Sequence, residues 1–291
     1  MPDVCVVTDS TAYLPPEWLA RYGVAVVSLS VNEEGRGSER ELDMDPAAFY
    51  SRMRGARTLP KSSQPTPGEF VQAFEGAVRS GRQVCGVFLS SGLSGTLAGA
   101  ETARAEVLGR YPDAVIELVD SQTGSAPLAY IVRKAAERAA EGADAARCAQ
   151  AAREAALCAR WLIMPDALEN LRKGGRIGGA SALLGSALQI LPILTVEEGK
   201  VELLKRVRTR RRQLDEAVEY FREEIDRAGL DCVAVLQIEE SGERDELVRR
   251  VVQVCGRQPD LFDVGPVIGL HVGPGVGIAY LTEQPIHGVT A

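Results

Sequence analysis

Between Phe88 and Val107 the chain reads FLSSGLSGTLAGAETARAEV, which begins as an apolar strand and continues as a helix. The turn between them carries the hydroxyls of Ser90, Ser91, Ser94 and Thr96 and the glycines Gly92 and Gly95, with Gly99 one turn further on. Glycines let backbone approach a ligand closely, and the helix that follows offers unpaired N–H groups and a partial positive charge of about half a unit. Such a turn suits a carboxylate or a phosphate. It is not a Walker loop, because no Gly-Lys-Ser/Thr follows at the required spacing. Nor is it a nucleophile elbow: in Gly92-Leu93-Ser94-Gly95-Thr96 the second glycine comes one place early for Gly-x-Ser-x-Gly.

Two other stretches offer groups for the same kind of site. LPKSSQPTPGEF (Leu59 to Phe70) is a proline-stiffened loop that presents Ser62, Ser63 and Gln64 ahead of a helix expected to start near Pro67. GPVIGLHVGPGVGIAY (Gly265 to Tyr280) holds His271 among Gly269, Gly273, Pro274 and Gly275. So few neighbouring side chains leave the ring little to pack against, which favours a ligand-facing role.

The elements that must position these groups follow from periodicity. In the first half the apolar runs VCVV, VAVVSLSV, VCGVFL and AVIELV alternate with helical patterns, the signature of an α/β layer with a mostly parallel sheet. Three of these strands run into polar clusters: Thr8 to Thr11, Ser90 with Ser91, and Asp120 with Ser121. Ligands of parallel α/β sheets bind outside the carboxyl ends of the strands, so the clusters should share one edge. Ser, Thr and Asp are equally good helix N-caps, which leaves a purely structural reading open for each turn alone.

The alanine-rich stretch from about Thr123 to Ala159 predicts two helices broken near EGADAA, after which RWLIMPDAL opens a new set of elements. ILPILTV and VELLKRV, joined through Glu197, Glu198 and Gly199, read as a hairpin. A helix from about Arg210 to Ala228, the strand CVAVLQI, a helix near Asp245 to Val254 and the strand GIAYL complete a mixed α+β pattern. The change of pattern predicts two domains, an N-terminal α/β domain over residues 1–160 and a C-terminal α+β domain over 161–291. Residues 31–43, polar and glycine-containing, read as a loop excursion.

Composition bounds the function. The 291 residues are 45% hydrophobic and 25% charged, and no apolar run approaches the roughly 20 residues that span a bilayer. The start, MPDVCVVTDS, enters a strand at once without a basic or apolar leader, so a cytoplasmic location is expected. Six scattered cysteines read as small core residues, and two histidines are too few for a histidine-rich metal site. A formal net charge of −7 argues against wrapping nucleic acid.

Seven motifs in order along the chain carry a resemblance: VTDSTAYLP, LPKSSQPTPGEF, SSGLSGT, VDSQTGS, LRKGGRIGGASALLG, LPILTVEEGKVELLKRVRT and GPVIGLHVGPG. Together they resemble the DegV family of bacterial fatty-acid-binding (FakB-like) proteins. The resemblance implies a two-domain fold that encloses one long-chain fatty acid, its acyl chain in an apolar tunnel and its carboxylate near the domain junction. It implies a head-group network of Ser62, Ser94 and His271, with Ser91 and Gly95 in the same turn. It also implies a partner, a fatty acid kinase that converts the bound acid to an acyl phosphate, so that this chain is a carrier without a cofactor, metal or chemistry of its own. The chain departs from the family pattern at Ser62, where threonine is usual, at Tyr13, where an acidic residue is frequent, and at Ala126-Pro127, where glycines are common.

From Lys205 to Arg212, KRVRTRRR, six of eight residues are cationic, and RKGG adds Arg172 and Lys173, with Arg176 just beyond. Cations at the start of a helix oppose its macrodipole, at about 0.3–1 kcal/mol each when exposed, so another interaction should favour them. A docking surface for the acidic partner, using Arg176, Arg208 and Lys205, is the expectation; a solvated helix face is the alternative. A serine-dependent hydrolase or acyltransferase acting on small acyl substrates remains the rival function, with Ser94, His271 and Asp9 or Asp120 as its triad.

Overall fold

The computed structural model describes residues 3–55, 58–183, 190–240 and 242–287. The first half contains β1 (Val4–Asp9), α1 (Pro16–Tyr22), β2 (Ala25–Val27), β3 (Ser30–Glu33), β4 (Gly37–Arg40) and α2 (Pro46–Gly55). It continues through β5 (Lys61–Ser63), α3 (Pro67–Arg79), β6 (Gln83–Phe88), α4 (Thr96–Arg110), β7 (Ile116–Asp120), α5 (Ser125–Ala140) and α6 (Ala145–Leu157). The second half contains β8 (Ala159–Pro165), α7 (Glu169–Lys173), β9 (Leu191–Glu197), β10 (Lys200–Val207) and α8 (Arg210–Ala228). It ends with β11 (Cys232–Ile238), α9 (Glu243–Cys255), β12 (Asp260–Asp263), α10 (Pro266–Val272) and β13 (Gly275–Leu281).

The fold is α/β, built on two large sheets. A parallel sheet has the order β2-β1-β6-β7, and a mixed sheet the order β10-β9-β8-β13-β11-β12. Side chains on a strand alternate between faces, and the two sheets use that period to build successive layers. Cys5 and Val7 of β1 join Phe70, Phe74 and Ala103 of α3 and α4 on one side, while Val4 and Val6 face α5 on the other. In β8, Leu162 and Met164 pack with Leu214 and Phe221 of α8, while Trp161 and Ile163 turn inward to the cluster that includes α5. Helix α5 packs against β1 and β6 of one sheet and β8 and β13 of the other, so it lies between them and shares its core with both. That position explains why Leu128 to Val132 are entirely excluded from solvent.

Local signals place most elements where the periodicity puts them. Helix α3 starts at Pro67 behind a capping box, in which the Thr66 side chain accepts the Glu69 N–H and Glu69 reaches back to the Thr66 N–H; such a cap is worth about 0.5–2 kcal/mol. The β9–β10 hairpin turns at Glu198 and Gly199, both in the left-handed region. Two expectations are corrected. The run VAVVSLSV is not one strand: it breaks at Ser28 and Leu29, leaving β2 in the parallel sheet and sending β3 elsewhere. Residues 31–43 are not a loop excursion, because β3 and β4 form a hairpin that joins β5 in a three-stranded antiparallel sheet of order β4-β3-β5. All four residues of β4 are exposed, so no alternation of apolar and polar residues marks it. Cys5, Cys85 and Cys148 are buried and Cys158, Cys232 and Cys255 partly so; none is disulfide-bonded. Among the described residues no helix is long and apolar enough to cross a membrane.

Candidate functional site

Parallel strands β1, β6 and β7 are neighbours, so the three polar clusters do meet along one edge. Most of their groups serve the turns themselves. Buried Asp9 accepts the Leu89 N–H (2.7 Å) and both the N–H and hydroxyl of Thr11 (3.0 and 2.5 Å). Ser90 donates to the carbonyl of Gly199 at 2.7 Å, which ties the turn to the β9–β10 hairpin, and Gly92 is small enough to pass that carbonyl. Ser91 is exposed, its hydroxyl donated to Asp120 at 2.5 Å, and it does not line the cavity described next.

That cavity lies between the two sheets. Its walls are aliphatic and aromatic: Leu29, Leu89 and Leu93 from the parallel-sheet side, Trp161, Ile163, Val196 and Val201 from the mixed sheet, Leu171 from α7, and Val267, Ile268 and Val272 from α10. Four polar side chains interrupt them: Ser62, Ser94, Arg176 and His271. The space left between these side chains is about 50 Å³, room for only a few water molecules, each needing about 10–15 Å³ of such space. A larger cleft of about 740 Å³ opens between α6, the end of β7 and the end of β9; its lining mixes apolar residues with Asp120, Arg153, Glu154, Glu197 and Glu198 and holds none of these four groups.

Residues far apart in sequence come together here. Ser62 on β5 and His271 on the last turn of α10 share a hydrogen bond of 2.8 Å between Oγ and Nε2. The frame of glycine and proline around His271 is thus a two-turn helix leading into β13, and Asn170 holds its end by donating to the Leu270 carbonyl at 3.0 Å. His271 Nδ1 is buried and has no hydrogen-bond partner among the described residues. In the Nε2–H tautomer the ring donates to Ser62 Oγ and leaves the Ser62 hydroxyl proton free to be donated elsewhere. Ser94, half-buried, lies 2.8 Å from the Thr96 hydroxyl and accepts the Thr96 N–H at the start of α4. Gly95 is the N-cap of α4 and carries no side chain that a Cβ-bearing residue would push into Gln64, so the Ser62–Gln64 segment can lie against this helix end.

The electrostatics match this arrangement. Burial, helped by the nearby Arg176 charge, pulls His271 from 6.5 down to about 4, so the ring is neutral at physiological pH. Arg176 is exposed; it donates to the carbonyls of Leu93 (3.2 Å) and Gly174 (2.6 Å), which fixes its guanidinium at the cavity wall without neutralising it. The depressed pKa has a stability consequence. Below pH 6.5 the unfolded chain takes up a proton that the folded chain refuses, so stability supplied by this group is complete above 6.5 and falls as pH drops towards 4. His271→Gln should therefore flatten the acid side of the stability curve, narrowing its dependence by about 3 kcal/mol over that window. Urea midpoints of both proteins at several pH values test this; parallel curves would refute it.

The basic stretch is divided by the fold. Lys205 pairs with Glu216 at 2.8 Å, Arg210 with Glu243 and Asp166, Arg211 with Asp215 and Arg212 with Glu216. These carboxylates supply the interaction that offsets the helix dipole at the start of α8, so no external partner is needed to explain those cations. Arg206 and Arg208 are exposed and make no ion pair among the described residues. A Ser94-based triad is not assembled, since Ser94 turns to Thr96, His271 Nδ1 meets no carboxylate, and Asp9 and Asp120 are engaged elsewhere.

These residues build a two-sheet α/β protein with an aliphatic cavity into which two hydroxyls, an imidazole and a guanidinium intrude. The sequence profile of the DegV family, described as uncharacterised proteins, matches residues 3–283. A DegV domain-containing protein of Clostridium perfringens is 40% identical over 282 residues, covering 97% of this chain and 99% of its own. The fatty-acid-binding DegV family protein of Thermus thermophilus superposes with a TM-score of 0.83 at 30% identity, covering 96% of this chain and 99% of that one. DegV of Bacillus subtilis, a fatty acid binding protein, gives 0.82 at 28% identity, covering 97% and 100%. The chain belongs to the DegV family.

Proposed function

We propose that this protein binds one long-chain fatty acid, with its acyl chain between the two sheets and its carboxylate at Ser62, Ser94 and His271, and presents that carboxylate to a fatty acid kinase for conversion to an acyl phosphate. The observation that carries the reading is the Ser62–His271 hydrogen bond set in an otherwise apolar cavity beside Ser94 and Arg176. Fatty acid binding by the related proteins of Thermus thermophilus and Bacillus subtilis supports it. Each buried methylene contributes roughly 0.8 kcal/mol, so a chain of about 15 supplies on the order of 12 kcal/mol before association costs. The tail would supply affinity and the head group register. Because the enclosed space is only about 50 Å³, the aliphatic lining must part to admit the chain. Mass spectrometry of lipid extracted from the purified protein should find a stoichiometric fatty acid. Extracts without an acyl chain, together with no uptake of added acid, would overturn the reading.

Presentation to a kinase assigns separate tasks to the arginines. Arg176 borders the cavity, whereas Arg208 lies outside it and carries no ion pair among the described residues. Arg176→Ala is expected to weaken acid binding by about 1 kcal/mol, roughly fivefold, because its charge faces the carboxylate from a partly exposed position. Arg208→Ala should leave acid affinity within about twofold while slowing kinase-dependent acyl phosphate formation, and raising salt should mimic it only in part if the arginine meets a desolvated carboxylate. Lys205, held by Glu216, should matter less than either. Equal phosphorylation rates in Arg208→Ala and the unchanged protein would remove Arg208 from the docking surface.

A further inference from the structure

Glu41 is only 6% exposed and follows β4 in the small antiparallel sheet. Its Oε2 accepts the Ser10 hydroxyl at 2.5 Å, and its Oε1 accepts the Val267 N–H at 2.8 Å and the Tyr13 hydroxyl at 3.0 Å. Tyr13 Oη in turn accepts the Ile268 N–H at 3.2 Å. Two N–H groups of the first turn of α10 are therefore anchored through one carboxylate and one phenol. The approach is close enough that a Cβ at Gly265 would fall 2.9 Å from Glu41 Oε1. Tyr13 adopts a left-handed conformation, φ 47°, which costs a non-glycine residue energy and persists only where surrounding contacts over-determine it.

The same small sheet grips the other end of α10. Ser62 on β5 stands opposite Val31 on β3, and the β3–β4 hairpin leads directly to Glu41. Glu41 thus holds the first turn of the helix while Ser62 meets His271 on its last. A seven-residue helix has little internal cooperativity, so its rotation and height are set by what grips its ends.

We propose that Glu41 is a positioning residue of the head-group site: by anchoring the first turn of α10 it sets the Ser62–His271 hydrogen bond, and so the discrimination between a carboxylate and a neutral head group. The second half of that statement rests on the fatty acid reading above; the first half does not. The test compares the unchanged protein with Glu41→Ala and Glu41→Gln. One readout is the long-range nitrogen–proton spectrum of the two imidazoles in the chain, assigned with His271→Gln. The other is the affinity ratio for hexadecanoic acid over hexadecan-1-ol. In folded Glu41→Ala the His271 Nε2 signal should lose its hydrogen-bonded signature, and the acid-over-alcohol ratio should fall by about tenfold, with alcohol affinity changed little. Glu41→Gln, which keeps a carbonyl oxygen for the Val267 N–H, should retain most of both. An unchanged His271 signal and an unchanged ratio in Glu41→Ala would overturn the proposal, and equal losses for acid and alcohol would reduce Glu41 to a general stabiliser. Should Glu41→Ala fail to fold, Tyr13→Phe, which removes both the acceptor of the Ile268 N–H and a donor to Glu41, should weaken the His271 signal and lower the ratio, and an unchanged signal and ratio in it would overturn the proposal equally. If the unchanged protein shows no acid preference, the fatty acid head-group reading fails, while the His271 spectrum still decides whether Glu41 positions the ring.

Discussion

Ser62→Ala combined with Ser94→Ala is expected to lower affinity for a long-chain fatty acid by about a hundredfold, while affinity for the alcohol of the same chain length stays close to that of the unchanged protein. A hydrogen bond to a charged group is worth about 1.5–3 kcal/mol, and each variant removes one donor to the carboxylate. The two losses should not be equal. Ser62→Ala also strips His271 Nε2 of its partner, leaving a ring whose Nδ1 already has no partner among the described residues. Ser94→Ala strips the Thr96 hydroxyl and N–H of their partner, but both groups stay at the start of α4, where they can turn to the ligand instead. Ser62→Ala alone should therefore cost more than Ser94→Ala alone. If Ser62 and Ser94 serve one ligand group, as proposed, the double variant should fall short of the sum. Calorimetric titration with acid and alcohol decides the matter: a double variant that binds acid normally would move the carboxylate away from both hydroxyls.

The second large effect concerns stability. Arg160→Met is expected to destabilise the protein by about 3–5 kcal/mol, the usual result of removing one partner from a buried ion pair. Arg160 is 4% exposed and grips Glu224, itself 4% exposed, through Nε (2.9 Å) and Nη2 (3.0 Å). Its Nη1 reaches Glu197, and the Tyr280 hydroxyl donates to Glu224 at 2.8 Å. Burial alone would raise Glu197, but His287 and Arg160 outweigh it and hold its pKa at about 2. Without Arg160 the Glu224 charge is left in the layer between β8 and α8 with the Tyr280 phenol and the largely exposed Arg227 guanidinium (3.4 Å) as donors. Replacing Glu224 with leucine in the Arg160→Met background should recover most of the loss, since removing both charges avoids the stranded carboxylate. Arg160 points to the α8 side of β8, whereas Trp161 and Ile163 point to the cavity. Fatty acid affinity of the folded variant should therefore change little. Denaturant titration of the single and double variants tests the scheme, and a single variant costing under about 1 kcal/mol would contradict it.

Elements whose signals lie within a few residues are legible in the chain before it folds. The apolar runs VCVV and VCGVFL specify the buried strands β1 and β6, and Pro67 marks where α3 begins, because a pleat or a helix start is completed by near neighbours. Helical ion pairs such as Arg211–Asp215 and Arg212–Glu216 are legible for the same reason, lying four residues apart. Motif order along the chain was enough to indicate the family. Which polar groups meet depends on the packing of the folded chain. Ser62 and His271 are 209 residues apart, and their contact depends on β5 pairing with β3 and on α10 packing beside that sheet. The separation of Arg208 from Lys205 and Arg210 into an unpaired and two paired cations depends on where Glu216 and Glu243 fall after folding. Glu41 lies in a segment whose exposed strand shows no alternation, so its role as an anchor had no local signature. Backbone geometry and hydrophobic period are properties of short stretches of chain, whereas the partners of a buried polar group are fixed by sheet order and layer packing, which bring distant stretches to within hydrogen-bonding distance.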